Sequence, residues 1–226
     1  DAIAEVVRLF EDDDIHHVHG DVDPLRDIEV INLELVLADQ EIAAKRLDRV
    51  ERDAKSGEKD LVAERDVLRK IVPVLNAGKA AREVDLNEKE REVVKGFHLL
   101  TTKPILYVLN RKSGAVNMDA ENGERWREVK TFLDNSNSKY VFVDAGVENE
   151  LNDVRDMERA DFRRELGVSS DGIDDLIKSG YELLDLISFF TTGEKESRAW
   201  TIKRGSTAPE AGAAIHSDFR DKFIRA

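Results

Sequence analysis

The chain has 226 residues, with 35 Lys and Arg against 48 Asp and Glu, so its formal net charge is −13 at pH 7. It has no cysteine, which excludes disulfide bonds, thiol catalysis and cysteine-ligated metal centres. No apolar run approaches the ~18 residues that a membrane span requires, and the length predicts one or two domains. Because no signal sequence opens the chain, we expect a cytoplasmic protein.

Both ends of the sequence predict that it is a piece of a longer protein. The chain begins at Asp1 without an initiator Met, and apolar residues recur from Ile3 onward. It stops just after the apolar pair Phe223-Ile224, where a strand-like pattern has only begun. We therefore expect a fragment.

The first half of the chain predicts two long helices. The segment Ala2 to Phe10 predicts a short helix that feeds a buried strand. From Asp27 the apolar residues recur every three or four positions, and a second such stripe follows the break at Ser56-Gly57-Glu58. The two stripes predict an antiparallel helical hairpin, with a kink or the end of the straight stretch at Pro73. The apolar positions of the first stripe are Ile28, Ile31, Leu35, Ala38 and Ile42, continued after a one-residue shift of phase by Leu47, Val50 and Ala54. Those of the second stripe are Leu61, Leu68, Ile71, Val72 and Leu75.

The second half alternates strand and helix patterns. Strands are predicted over residues 103–110, a run that ends in the polar Asn110, and over residues 140–143, because continuous apolar runs of this length are typical of parallel strands buried on both faces. A helix through Trp126 separates them, and further helices are predicted around residues 151–166 and 173–189. This alternation predicts an α/β fold with a parallel sheet.

A further module is predicted after Gly193. There, residues 199–202 predict a strand, and residues 211–215 predict the start of a helix.

Polar and small residues follow both predicted strands directly. Asn110 ends the first, and Asp144-Ala145-Gly146 follows the second. Ligands of open α/β sheets bind at the carboxyl ends of the strands, where an Asn amide can read a nucleobase edge and a small-residue turn can approach it. The alternative is that Asn110 only caps the next turn.

Three histidines, His16, His17 and His19, suggest a metal site, because imidazole is a common metal ligand. No fourth ligand is evident, and Asp21 and Asp23 fit a turn equally well, so we expect a structural or surface role and no metal site.

The predicted hairpin tip carries several basic residues, which could contact RNA phosphates. The alternative is a solvated helical surface whose bases are matched by acids such as Glu51 and Glu64. The candidate contacts are Arg46, Arg49, Arg52, Lys55 and Lys59.

The sequence lacks the residues of a hydrolytic centre. No phosphate-binding G-x-x-x-x-G-K-[ST] loop, no D-x-x-G sequence and no paired acid and base are found. We therefore assign no catalytic residue and expect this chain alone to be inactive in hydrolysis.

Several tracts, in order along the chain, resemble one family: the Obg-like ATPases of the YchF type, which are translation-factor-class P-loop NTPases. Long tracts are more specific than single short motifs. They are residues 7–10, 15–24, 27–32, 37–39, 103–107, 198–202, 208–209 and 215–219.

The resemblance implies a partial GTPase-like α/β domain with a parallel sheet, an inserted helical coiled coil, and the start of a β-grasp TGS domain. The implied boundaries are residues 1–25 and 99–192 for the GTPase-like domain, 26–98 for the insertion and 193–226 for the TGS domain. The phosphate loop, the switch regions and the Mg²⁺ ligands would lie outside this chain.

The resemblance also implies nucleotide contacts. The family reads its base with an Asn-x-x-Glu pattern, in which Asn110 matches the Asn and Arg111 follows it, whereas Ser113 stands where Glu is usual. A hydroxyl cannot offer guanine two acceptors, so this departure argues against GTP specificity. Ala145 and Gly146 align with the second base-contacting loop of the family, although without its Lys.

As a whole, the resemblance implies a monomeric, ribosome-associated protein that binds and hydrolyses ATP, and GTP less well, with Mg²⁺ as cofactor. The alternative is a non-catalytic module that binds the ribosome or RNA through the hairpin and the TGS domain.

Overall fold

The computed structural model describes residues 1–12, 21–168, 172–194 and 196–225. Three strands form a parallel sheet in the order β1 (Ile3–Arg8), β2 (Ile105–Asn110) and β3 (Lys139–Val143). Asn110 at the end of β2 lies beside Arg8 and Val143. The central strand is the most apolar because its first five residues are buried between two layers.

The short helix predicted before β1 is wrong. The strand starts at Ile3, and its side chains alternate, since Val7 is 2% exposed and Val6 is 66% exposed. That alternation has the period of a strand, with one face towards the core. The closely spaced apolar residues had suggested a helix.

Two long helices follow, α1 (Pro24–Asp53) and α2 (Lys59–Asn76). The side chain of Asp23 caps α1 by accepting a hydrogen bond from the amide of Arg26. Between the helices, Gly57 has a φ of 79°, a left-handed conformation that favours glycine. Pro73 lies in the last turn of α2, where the helix is about to end.

α1 and α2 run antiparallel, and the part of α1 from Val36 onward packs on α2. Polar pairs link Arg46 to Glu64 and Glu51 to Arg69. The apolar contact differs from the predicted stripe, because Ile31 and Ile42 are 45% and 48% exposed. The buried residues of the contact are Val36, Ala43, Val50, Val67, Leu68, Ile71 and Leu75.

Helices cover both faces of the parallel sheet. One face packs against α1 and α5 (Glu124–Asn135), whose Trp126, Val129 and Leu133 are buried there. The other face packs against α8 (Gly172–Leu183) through Leu176 and Leu183. The remaining helices of this half are α3 (Glu88–Lys95), α4 (Met118–Glu121), α6 (Ala145–Glu150) and α7 (Asp156–Glu165).

The last part of the chain forms a second, antiparallel sheet. β4 (Leu186–Thr192) pairs with β5 (Ser197–Lys203), followed by α9 (Ala208–Ile215) and α10 (Ser217–Asp221). The helix predicted through Phe189 is therefore wrong beyond α8, since Asp185 takes a left-handed φ of 53° and a strand begins. The predicted domain boundary at residues 192/193 falls in the turn between the two paired strands.

Within the residues that the structure describes, no helix combines the length and the apolar character needed to cross a bilayer.

Candidate functional site

The carboxyl ends of β2 and β3 bring the two predicted polar segments into direct contact. The Oδ1 atom of Asn110 accepts a hydrogen bond of 3.0 Å from the backbone amide of Ala145. Parallel strands in register end at the same edge of the sheet, which explains why residues 35 positions apart meet there.

A second link joins the same two segments through Asp144. Its Oδ1 atom accepts a hydrogen bond of 3.1 Å from the amide of Val147 and so caps α6. Its Oδ2 atom accepts one of 2.6 Å from the amide of Ser113. The hydroxyl of Ser113 donates in turn to the carbonyl of Leu166 at 3.0 Å. Asp144 thus bridges the start of α6 and residues 111–117, which follow β2 and are called the β2 loop below.

Arg111 is fixed on three sides. Its amide donates to the carbonyl of Val143 at 2.8 Å, and its guanidinium lies 3.6 Å from the ring centroid of Phe142. It also pairs with the largely buried carboxylate of Asp119. Lys112 pairs with Asp12. The two cations of this loop therefore already have protein partners.

Two cavities flank these links. One of about 550 Å³ is lined by residues that include Asn110, Val143, Ala145, Arg159 and Arg163. The other has a volume of about 470 Å³, and Val143 lines both cavities. It is bounded by residues 111–114, Asn117, Asp119, Ala120, residues 142–144 and residues 166–168.

The structure therefore brings Asn110, Arg111 and Ala145 together, with Gly146 exposed beside them. A Cβ atom on Gly146 would lie 3.3 Å from Oδ1 of Asp144, so a larger residue would press on the capping carboxylate. Sequence reasoning missed the roles of Asp144 and Ser113. An Asp directly before a helix is a known capping signal, whereas nothing local marks its contact with Ser113.

The basic residues predicted at the hairpin tip fall into two groups. Arg49, Arg52, Lys55 and Lys59 are exposed and have no charged partner within the described residues. Arg46 is different, because it pairs with Glu64 at 2.5 Å, donates to the carbonyl of Gly96 and lies 4.5 Å from the Phe97 ring centroid.

The hairpin tip carries several cations, but its net charge is not positive. Residues 48–60 contain four basic and five acidic residues, so the exposed cations stand among carboxylates.

His16, His17 and His19 lie outside the described residues. Within the described ranges, no group of three or more His, Asp or Glu side chains is arranged to hold a metal ion.

A family model, several characterised proteins and a solved structure are similar to this chain. The family model YchF-GTPase_C, described as "Protein of unknown function (DUF933)", matches residues 186–226. "Ribosome-binding ATPase YchF" from Bacillus subtilis (strain 168) is 46% identical over 226 residues, covering 100% of this chain and 62% of the relative. The protein of the same name from Escherichia coli O157:H7 is 43% identical over 227 residues, covering 100% and 61%. This chain belongs to the YchF family.

The fold agrees with a solved YchF structure. The structure of the Schizosaccharomyces pombe YchF GTPase superposes with a TM-score of 0.79 at 31% identity, over 99% of this chain and 61% of that one. The chain thus spans about three fifths of the length of its YchF relatives. The parallel sheet and the helices that cover it are the α/β fold that the resemblance implied.

Proposed function

We propose that this chain supplies the base side of a nucleotide site in a ribosome-associated ATPase. The hydrogen bond from the Ala145 amide to Asn110 carries the proposal, because it joins the two loops that would contact a base. The names of the YchF relatives support it. In this proposal ATP is preferred to GTP, since a hydroxyl at Ser113 cannot accept the paired donors of guanine.

The roles of the chain's own residues follow from their contacts. Asn110 holds the Ala145 turn in place and keeps its side-chain amide group available as a donor to a base. Arg111 shapes the loop through Phe142 and Asp119, so we propose that it contacts the nucleotide mainly through its backbone and the flat stacked side chain. Phosphate and Mg²⁺ binding are assigned to no residue of this chain, and neither is hydrolysis.

The wider proposal keeps the predicted order of domains but moves the last boundary. Residues 1–25 and 99–185 belong to the nucleotide-binding domain, and residues 26–98 form the inserted arm. Residues 186–226 open the TGS domain, because β4 and β5 pair in one sheet and the family model begins at residue 186. The protein is monomeric and cytoplasmic.

The test is a calorimetric titration of the natural-length protein with ATP and GTP. Asn110→Ala removes the link to Ala145, and a hydrogen bond of this kind contributes about 1 kcal/mol, so ATP affinity should fall about three- to tenfold. Asn135→Ala, at an exposed Asn near the end of α5, is the matched control. Absence of ATP binding, or an equal effect of the two variants, would refute the nucleotide site.

A second candidate is a module that docks on the ribosome through the helical arm, with nucleotide hydrolysis playing no part in docking. The four exposed cations around the α1–α2 turn favour it, because they lack charged partners within the described part of the chain. The salt dependence of ribosome binding, treated in the Discussion, tests this role.

A further inference from the structure

The side chain of Ser113 is committed to the protein itself. Its hydroxyl donates to the carbonyl of Leu166 at 3.0 Å, which ties the β2 loop to the segment after α7. A carboxylate could not make this contact, because it has no proton to donate. The side chain of Ser113 therefore links two segments of the chain. It provides no negatively charged hydrogen-bond acceptor for a ligand.

A carboxylate does lie across from this position, on Asp144. Its Oδ2 atom is 2.6 Å from the amide of Ser113, and the side chain lines the same cavity of about 470 Å³ as residues 111–114. A cavity of this volume falls within the roughly 300–1,000 Å³ of small-molecule sites. The anionic group is thus present at this cavity, on the opposite loop.

Asp144 retains acceptor capacity and charge. Each of its oxygens accepts one backbone hydrogen bond, from Val147 or from Ser113, while a carboxylate oxygen can accept two. Within the described residues no Lys or Arg pairs with it. Arg111 is engaged by Asp119, and Lys112 by Asp12.

We propose that Asp144, and not residue 113, accepts a hydrogen bond from the 6-amino group of a bound adenine, where guanine presents a carbonyl oxygen that cannot donate. This inference rests on the proposed nucleotide site and names the residue that reads the base. Ser113 contributes by placing its amide on one carboxylate oxygen, which orients the other acceptor positions towards the cavity.

The test compares ATP with purine riboside triphosphate, which has the same sugar and phosphates but no amino group, by titration of the natural-length protein. A hydrogen bond to a charged acceptor should favour ATP by about tenfold. In Asp144→Ser the affinity for ATP should fall to that for purine riboside triphosphate, which should change less than twofold. Ser is chosen because it still caps α6.

Three further variants separate base reading from bracing. Asp144→Asn keeps the size of the side chain but loses the charge, and it should also lose most of the ATP preference. Ser113→Ala frees Leu166 but keeps the carboxylate, so the preference should remain near tenfold. Asp134→Ser removes an exposed carboxylate of α5 and should leave both affinities unchanged.

Some outcomes would overturn the assignment. If Asp144→Ser lowers the affinities for ATP and purine riboside triphosphate equally, Asp144 only holds the loops in place. If both affinities and their tenfold ratio are unchanged, another group contacts the amino group of the base. If the wild-type protein binds ATP and purine riboside triphosphate equally, the assignment of Asp144 is wrong, while the proposed nucleotide site still stands. A wild-type protein that binds neither sinks the proposed nucleotide site and this inference with it.

Discussion

Asp39 of α1 and Thr101, just before β2, form a fully buried polar contact that fixes the helical arm to the sheet. The two residues are 0% and 2% exposed. The Oδ2 atom of Asp39 accepts hydrogen bonds of 2.6 Å from both the amide and the hydroxyl of Thr101, and Oδ1 accepts one of 2.8 Å from the amide of Leu100. The amide of Ala81 donates to the Thr101 hydroxyl oxygen at 2.9 Å. The Asp39 carboxylate and the Thr101 hydroxyl therefore link three segments of the chain.

Asp39→Ala should destabilise the protein strongly, because it leaves two buried donors and one partly buried donor without an acceptor. We expect the free energy of unfolding to fall by about 3 kcal/mol, measured by urea denaturation. Thr101→Ser keeps the hydroxyl and should cost less than about 1 kcal/mol, whereas Thr101→Val keeps the shape without it and should cost more. Equal costs for the two Thr101 variants would show that the hydroxyl contact is unimportant.

Glu5 predicts a pH dependence of stability. It lies buried on β1 beside Tyr107, its Oε2 atom has no hydrogen-bond partner, and burial raises the pKa of its carboxyl to about 7, which the nearby Arg82 only partly offsets. The folded state thus holds this proton more tightly than the unfolded state, whose pKa stays near the ordinary 4.5. The contribution of protonated Glu5 to the free energy of unfolding should therefore be fully present below about pH 4.5. It should be lost as pH rises through about 7, which lowers the unfolding free energy by about 3 kcal/mol in total.

The measurement is urea denaturation between pH 4.5 and 8. Glu5→Gln removes the titrating group, so its loss of stability across this window should be smaller than that of the wild type by about 3 kcal/mol. The matched control, Glu121→Gln, changes an exposed carboxyl and should keep the wild-type profile. A Glu5→Gln profile parallel to the wild type would assign the pH dependence to other groups.

The sheet was readable from sequence because its strands are continuous apolar runs. β2 occupies Ile105–Asn110 and β3 occupies Lys139–Val143, within two residues of the predicted starts and at the predicted ends. The position of Asn110 at a strand end followed from the polar residue that closes the run, and so did its proximity to Ala145, since parallel strands share an edge.

The helix contact was harder to predict, because α1 has apolar residues on more than one face. The predicted stripe contained Val50, which is buried, but also Ile31 and Ile42, which are exposed, and it missed Val36 and Ala43. The buried Val36, Ala43 and Val50 repeat every seven residues. In a helix of 3.6 residues per turn, several stripes fit such a pattern, and only the partner selects one. Likewise, Asp39 gave no sign in the sequence that it would be buried, because its donors lie about 60 residues away.

Arg111 should stabilise the edge of the sheet through Phe142 and Asp119. Arg111→Ala leaves the largely buried Asp119 carboxylate without its cation, and we expect a loss of about 2–3 kcal/mol in unfolding free energy. Arg111→Lys keeps the charge but not the flat stacking surface and should lose about 1 kcal/mol. Both values come from urea denaturation.

A double-mutant cycle provides the control for Arg111. Adding Asp119→Asn to Arg111→Ala removes the uncompensated charge, so part of the lost stability should return. Strictly additive effects of the two substitutions would mean that the pair contributes no coupling.

The basic residues at the α1–α2 turn should make ribosome binding sensitive to salt if they contact RNA phosphates. Neutralising Arg49, Arg52, Lys55 and Lys59 together, each to Gln, removes up to four phosphate contacts. The slope of log affinity against log salt concentration should then become shallower by roughly 3, since each contact contributes roughly 0.7–0.9. The binding measurement is co-sedimentation of the natural-length protein with ribosomes at several salt concentrations.

The matched control neutralises Lys79, Lys89, Lys130 and Lys178, which are also exposed and lie away from the turn. Both variants lose the same total charge, so a long-range effect of the net charge of −13 would change both slopes equally. A change confined to the turn variant would place the RNA contact at the tip of the arm despite its carboxylates. A wild-type response that is already flat would instead make these four cations a solvated surface, because contacts with phosphates cannot form without releasing counterions.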